Sequence, residues 1–313
     1  MPMQKIEESI SFKDKTIQLS NGRLNLSRFG IKDISEVKEL EPLKNKLTGL
    51  ALDDNEISDV SALISFKNLR ELHLDTNNIS AISDIKGLNF LDGLEKLDLS
   101  SNKISEINGL ENLTNLRVLD LGFNKLEEIK ELEKLENLQE LNLNSNKISG
   151  IKGLEHLNCL KVAYFQWNLI SIVEGIDNLT NLEKLDLRDN KIREISGLEK
   201  CSQLRILFLS NNQISKISGL DTLKELTELY LDENQLTEIA GLENCVELEH
   251  IDFRYNKISK ISGLGTLDKL EWLYLSGQEN NPLRVVLKEL GKLSSVGYAL
   301  EPQRFVLYSQ LHD

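Results

Sequence analysis

The chain has 313 residues, 37 Lys and Arg against 50 Asp and Glu, and a formal net charge of −13. That acidity argues against a partner such as nucleic acid, whose phosphates call for clustered Lys and Arg, and against docking on anionic membranes. No apolar run approaches the ~20 residues of a membrane span, and 60 leucines beside only four prolines and 5% aromatics point to a repeat rather than to two ordinary domains.

The N-terminal stretch MPMQKIEESISFKDK lacks the apolar segment of a secretory signal, which predicts a cytoplasmic (or nuclear) protein. Residues 1–20 read as an N-terminal cap. Ile17 and Leu19, then Asn21-Gly22, then Leu24 and Leu26 predict a hairpin entering the first turn.

Residues 21–278 carry about twelve repeat turns. The segment LEKLDLSSNKI begins at Leu94, and related segments begin at Leu47, Leu69, Leu116, Leu138, Leu160, Leu182, Leu204, Leu226, Leu248 and Leu270. The spacing is 22 residues, except 25 between Leu69 and Leu94. Each turn has two halves. Leu97 and Leu99 alternate with polar neighbours, which predicts a short strand buried on one face. Ile104, Ile107, Leu110 and Leu113 recur every third residue, which predicts tight 3₁₀-like or extended turns. Asn102 and its equivalents (Asn55, Asn77, Asn124, Asn146, Asn168, Asn190, Asn212, Asn234, Asn256) fit a buried amide that satisfies backbone groups of adjacent turns.

This pattern resembles the leucine-rich repeat family, in the 22-residue class that includes protein phosphatase 1 regulatory subunit 7 and the internalin-type repeats of bacteria. The resemblance spans roughly Leu24 to Leu275. It implies an α/β solenoid, a horseshoe or arc with a concave parallel β-sheet, convex 3₁₀ or extended turns, an N-terminal hairpin cap and a C-terminal helical cap. Residues 279–313 are read as that cap and a tail. Leu283, Val286, Leu287 and Leu290 fall at helical spacing after Asn281-Pro282. In the tail, Pro302 predicts the start of a short helix, with Phe305, Tyr308 and Leu311 packing on the cap. The other reading of Arg304–Tyr308 is a docking peptide.

In LxxLxLxxN the third, fifth, seventh and eighth positions point away from the core, forming four columns across the concave face. From Leu47 to Leu270 these columns hold thirteen acids and four bases, Lys96, Lys184, Arg188 and Arg254. Eight aromatics lie in them: Phe123, Tyr164, Trp167, Phe208, Tyr230, Tyr255, Trp272 and Tyr274. Aromatic residues on a predicted solvent face mark a partner site. The expected function is a non-catalytic protein-protein interaction scaffold binding a partner with a basic and apolar surface. Tyr164, Trp167 and Phe208 would be anchors, and Asp186, Asp189 and Glu228 would pair with basic groups. Arg188 would supply one opposite charge, and Tyr230, Tyr255, Trp272 and Tyr274 would extend the surface, with Phe123 at its start. The resemblance implies two further readings, a regulatory subunit of an enzyme such as a protein phosphatase and a surface adhesin of internalin type. Glu228, Tyr230 and Tyr274 match the acidic and aromatic character that the first of these implies.

No phosphate-binding glycine loop, HExxH, CxxC or GxSxG occurs, so no enzyme activity, catalytic residue or cofactor is expected. His73 lies beside Asp75 and near Asp53 and Asp98. A surface histidine among solubilising acids is the preferred reading there over a metal or acid–base site, and no metal is expected. Cys201 and Cys245 replace buried leucines of the consensus, and Cys159 sits in a turn. A monomer is expected.

Overall fold

The alternation in each repeat lasts only long enough for three strand residues, after which the ladder asparagine turns the chain. The computed structural model describes residues 9–278 and 290–312 and shows this from the turn at Leu47 to the turn at Leu248. The chain forms two compact units, residues 1–146 and 147–313.

The first unit opens with an antiparallel hairpin, β1 (Ser9–Phe12) and β2 (Lys15–Gln18). Its turn residues Lys13 and Asp14 both adopt left-handed φ, 46° and 60°. The hairpin therefore lies earlier than the Asn21-Gly22 turn predicted from sequence. That turn closes a single antiparallel bridge, Ser20 to Arg23. Six parallel strands follow: β3 (Arg23–Asn25), β4 (Gly49–Ala51), β5 (Glu71–His73), β6 (Lys96–Asp98), β7 (Val118–Asp120) and β8 (Glu140–Asn142). Leu24, Leu50, Leu72, Leu97, Leu119 and Leu141 pair in register and are all buried, with Leu50, Leu72, Leu97 and Leu119 each between two leucines.

The second unit repeats the plan with β9 (Val162–Tyr164), β10 (Lys184–Asp186), β11 (Ile206–Phe208), β12 (Glu228–Tyr230), β14 (His250–Asp252) and β16 (Trp272–Tyr274). Behind them, β13 (Glu238–Ile239) and β15 (Lys260–Ile261) form a short parallel pair. Ala163 and Phe165 are both fully buried, so the large ring fills volume that the small alanine leaves.

On the side of each turn away from the strands, 3₁₀ segments occur in the early repeats (Ile34–Glu36, Lys38–Leu43, Ser61–Ser65, Ile82–Asp84, Leu88–Phe90). Later repeats keep only single i to i+3 closures, such as Leu113 N donating to Leu110 O at 2.9 Å. The three-residue spacing buries Ile104, Ile107, Leu110 and Leu113 either way, each fully buried leucine contributing roughly 1.5–3 kcal/mol before chain entropy is counted.

The asparagine ladder satisfies the bends. Asn102 Nδ2 donates to Leu74 O and Leu99 O, both at 3.0 Å, while its Oδ1 accepts from Asn77 N and Ile79 N, both at 2.9 Å. Asn190 does the same in the second unit, bonding Phe165 O, Leu187 O and Ile170 N. The last rung is Gln278, whose Oε1 accepts from Ile258 N at 3.0 Å and whose Nε2 donates to Phe253 O at 2.8 Å. The longer amide reaches the same carbonyl–amide set. At Gly197 (φ +71°) a Cβ would stand 2.4 Å from Val173 O, so only glycine lets adjacent turns stack there.

Beyond Gln278, the segment predicted as a capping helix falls on residues 279–289, outside the described residues. Leu290 is buried. The chain then pairs Tyr298 with Tyr274 and forms a helix, Pro302–His312. That helix packs on the last turn through Phe305, Val306 and Ser309, whose hydroxyl accepts from Leu264 N at 3.0 Å. Burial of Phe305 and Val306 removes the docking-peptide reading. Tyr308 stacks on His312 instead of the cap, and Leu311 is exposed, because Ser309, not Tyr308, lies on the inward face.

Cys201 and Cys245 are buried as expected, and burial raises their thiols to about 11 and about 12. Cys159 is exposed.

Candidate functional site

Parallel, in-register strands stack equivalent positions one above another, so a column of aromatic residues becomes a column of touching rings. In the second unit the fifth-position column reads Tyr164, Asp186, Phe208, Tyr230, Asp252, Tyr274. Phe208 and Tyr230 stack at 4.6 Å between centroids. Tyr230 meets His250 of the third-position column at 5.0 Å, and His250 stacks on Tyr274 at 5.3 Å. Tyr298, brought in by its bridge to Tyr274, ends the series edge-on to Tyr274 at 5.8 Å and to Trp272 at 5.2 Å. Phe208, Tyr230, Tyr274 and Tyr298 are half-buried, and Trp272 is exposed.

The two aspartates in the column are not outward-facing acids. Asp186 and Asp252 have side chains only 1% and 3% exposed, each clasped by the arginine two residues on. Arg188 Nε and Nη2 reach the Asp186 carboxylate at 2.9 and 2.5 Å, and Arg254 reaches Asp252 at 2.9 and 2.6 Å. This bidentate bond holds both guanidinium groups more basic than usual. Each clasped guanidinium then lies over the ring on the next strand, Arg188 over Phe208 at 4.8 Å and Arg254 over Tyr274 at 5.0 Å. Lys184 Nζ sits between Tyr164 and Phe208, 5.2 and 5.3 Å from their centroids. Cations and rings thus alternate across the face.

The expected pairing of Asp186 with a partner's basic group is therefore corrected: Arg188 already neutralises it. Asp189 and Glu228 are bonded by neutral donors and not by a clasping arginine. Gln166 Nε2 and Asn211 Nδ2 donate to Asp189 at 3.0 and 2.6 Å. The Tyr230 hydroxyl donates to Glu228 at 2.8 Å, and burial with that bond pushes the phenol well above its ordinary value. Burial holds His250 below its ordinary value, so it is a neutral ring at pH 7, with Nε2 buried and unbonded among the described residues.

The eighth-position column has a backbone feature that sequence did not reveal. Trp167, Asp189, Asn211, Glu233 and Tyr255 all lie at φ 54–57°. Asn and Asp tolerate this left-handed region, whereas bulky rings are uncommon in it. Trp167 and Tyr255 occupy it nonetheless and remain 51% and 57% exposed. Tyr255 lies over Gly277, where a Cβ would come within 2.3 Å of the ring. Phe123 shares this conformation (φ 55°) and exposure but belongs to the first unit.

Sequence reasoning gathered Tyr164, Phe208, Tyr230, Trp272 and Tyr274 onto one face, and the strand register places them there. It placed Lys184 and Arg254 on that face only as bases, without a part in the site, and it left out Tyr298. The recurrence of Asp-x-Arg at 186–188 and 252–254 is a readable signal for the clasps. Nothing in the repeat marks Tyr298, which lies outside it.

The first unit's corresponding face is acidic. His73 on β5 is paired in register with Asp98 on β6, and its Nδ1 stands 3.6 Å from Asp98 Oδ2. Asp75, two residues along, has its carboxyl raised by burial and by Asp98 and Asp53. Asp120 is also raised, chiefly by burial, although Gly122 N and Asn142 Nδ2 bond it at 2.8 and 2.9 Å.

Models of leucine-rich repeats match residues 45–87, 92–134 and 202–244 in a two-copy form, and 137–160, 178–193 and 224–281 in others. No curated protein sequence matches the chain. Among solved structures, an internalin from Listeria monocytogenes is similar at 25% identity and a TM-score of 0.64, over 85% of this chain and 91% of its own. Internalin C2 of the same organism is similar at 28% identity and 0.56, over 62% of this chain and 83% of its own. A TLR13–ssRNA13 complex shares the fold at 21% identity and 0.66, over 82% of this chain and 43% of that one.

Proposed function

The chain belongs to the leucine-rich repeat family, and from that premise we propose that it is a non-catalytic scaffold that binds a protein partner through the aromatic face of its second unit. The observation that carries this reading is the run of rings Phe208–Tyr230–His250–Tyr274–Tyr298, held in contact on the face of the sheet opposite the core. Rings already ordered by stacking and by cation contacts lose little freedom on binding, and Tyr and Trp in such settings are frequent hot spots. The partner surface would be apolar at its centre, with basic groups opposite Asp189 and Glu228.

Affinity capture from a source-cell lysate tests this, comparing wild type with a folded Tyr164→Ala/Trp167→Ala/Phe208→Ala variant by mass spectrometry. The expected result is a protein retained by wild type and lost by the variant. An unchanged partner set overturns the reading, and an RNA recovered in place of a protein overturns the partner class.

The likeness to internalins favours one second reading, an adhesin displayed at a cell surface. Surface labelling of intact cells that tags the protein would support it. A regulatory subunit would be a special case of the scaffold, tested by adding the purified chain to a protein phosphatase and measuring turnover.

A further inference from the structure

The first unit's acidic face holds a donor set unrelated to the aromatic array. In-register pairing sets His73 of β5 directly beside Asp98 of β6, and the alternation of a strand returns Asp75 to the same face two residues after His73. One ligand atom from each of the three lies within 4.8 Å of the others. Two ligands ~2.1 Å from a tetrahedral ion stand roughly 3.4 Å apart, and the imidazole–carboxylate separation here is 3.6 Å.

At 3.6 Å the two groups form a long ion pair, beyond a good hydrogen bond, and that separation also suits two ligands of one ion. Neighbours also orient the set. Ser100 N donates to Asp98 Oδ1 at 3.0 Å, leaving Oδ2 turned toward His73. The nearby Asp53 carboxylate is taken by the Ser27 hydroxyl. Side chains of His73 and Asp98 are 28% and 20% exposed, so the cluster is half-sheltered yet open to solvent.

We propose that His73, Asp75 and Asp98 bind a divalent first-row transition-metal ion of the zinc and manganese class. The imidazole selects against purely oxygen-seeking calcium and magnesium, and two carboxylates neutralise the ion's charge. Three protein ligands leave an open coordination position facing solvent, available to water or to a carboxylate of another molecule.

The test uses the full, tag-free, metal-stripped chain carrying Cys159→Ser, so that the exposed thiol adds no zinc site. Titration calorimetry with zinc, manganese, calcium and magnesium chlorides, and the visible absorption of added cobalt(II), read the binding. One equivalent of zinc is expected to bind, with affinity falling at least about tenfold in His73→Gln, Asp75→Asn and Asp98→Asn and unchanged in His156→Gln. A zinc-dependent rise in melting temperature present in the parent chain and absent in His73→Gln gives a second readout, and melts without metal confirm that each variant folds. Absence of one-to-one zinc binding, zinc binding that survives His73→Gln, or calcium binding as tight as zinc each overturns the proposal.

Discussion

The two units use one backbone plan and the same leucine and asparagine positions, yet their exposed sheet faces differ in kind. In the first, the fifth and seventh positions hold Asp53, His73, Asp75, Asp98 and Asp120, with no Phe, Tyr or Trp among them. In the second, the same positions hold Tyr164, Phe208, Tyr230 and Tyr274, and its two fifth-position aspartates are folded under arginines. The difference teaches that in this scaffold the inward residues determine the fold and leave the outward columns free. A charge-rich face and a ring-rich face can then share a chain without altering a single rung.

That comparison first requires the rungs to be equivalent. Asn190→Ala in the second unit leaves Ile170 N without its side-chain acceptor and takes one of two amide donors from Phe165 O and from Leu187 O, which keep Asn168 and Asn212. One buried group left unsatisfied costs ~1–3 kcal/mol and the lost bonds add to it, so a loss of about 3 kcal/mol is expected. Asn102→Ala in the first unit should cost about the same. Denaturant melts of both variants check this, and a large difference would break the idea of one shared scaffold.

The arginine clasp is where the faces should part. Arg188→Ala strands the Asp186 carboxylate, buried and, among the described residues, left with its bond from Arg188 N. Breaking a fully buried pair costs 3–5 kcal/mol. With Arg188 partly exposed, about 2 kcal/mol is expected. A base from another column of the first unit's face serves as the contrast: Lys96→Ala should shift stability by less than about 0.5 kcal/mol. Thermal melts of the two variants side by side measure the contrast.

A smaller effect is expected at the ring array. Phe208→Ala removes the 4.6 Å stack with Tyr230 and the platform for Arg188. Rings of this kind add about 0.5–1.5 kcal/mol beyond area burial, so a loss of about 1 kcal/mol is expected. Partner retention in the capture assay should fall far more than stability does. Equal proportional losses would mean that the rings pack the face rather than bind.

Much of this was legible in the sequence, for a physical reason. Period-2 alternation of Leu97 and Leu99 and the three-residue spacing after Asn102 admit few conformations, so turns, rungs and outward columns follow directly. Register then places Tyr164, Phe208, Tyr230 and Tyr274 in one column. What escaped depended on side-chain torsions or on non-repeat sequence. Asp186 and Asp189 look alike in LDLRD, yet only Asp186 lies where Arg188 can fold over it. The N-terminal hairpin was misplaced because Asn21-Gly22 is the stronger turn signal, while Lys13-Asp14 carries no glycine and still adopts both left-handed φ values. Tyr298 reaches the array only through a bridge that no repeat pattern encodes.

The smallest expected effect has the opposite sign and concerns Asp232. Burial raises its carboxyl above the ordinary 3.8, and Asp252 adds to the rise, although the Ser210 hydroxyl donates to it at 2.5 Å. A carboxyl whose folded pKa lies above its unfolded one favours folding most when protonated in both states, and that contribution is lost as pH rises through the folded value. At neutral pH the charged Asp232 therefore costs stability. Asp232→Asn keeps an acceptor for Ser210 and removes the charge, so it should stabilise the chain at pH 7 by a few tenths of a kcal/mol. The gain should shrink as pH falls through the upper carboxylate range, where wild type protonates Asp232 itself. Denaturant melts of wild type and variant across that range give the result. A gain that persisted at low pH would locate the effect in packing, and a loss at pH 7 would show that the Ser210 bond outweighs burial.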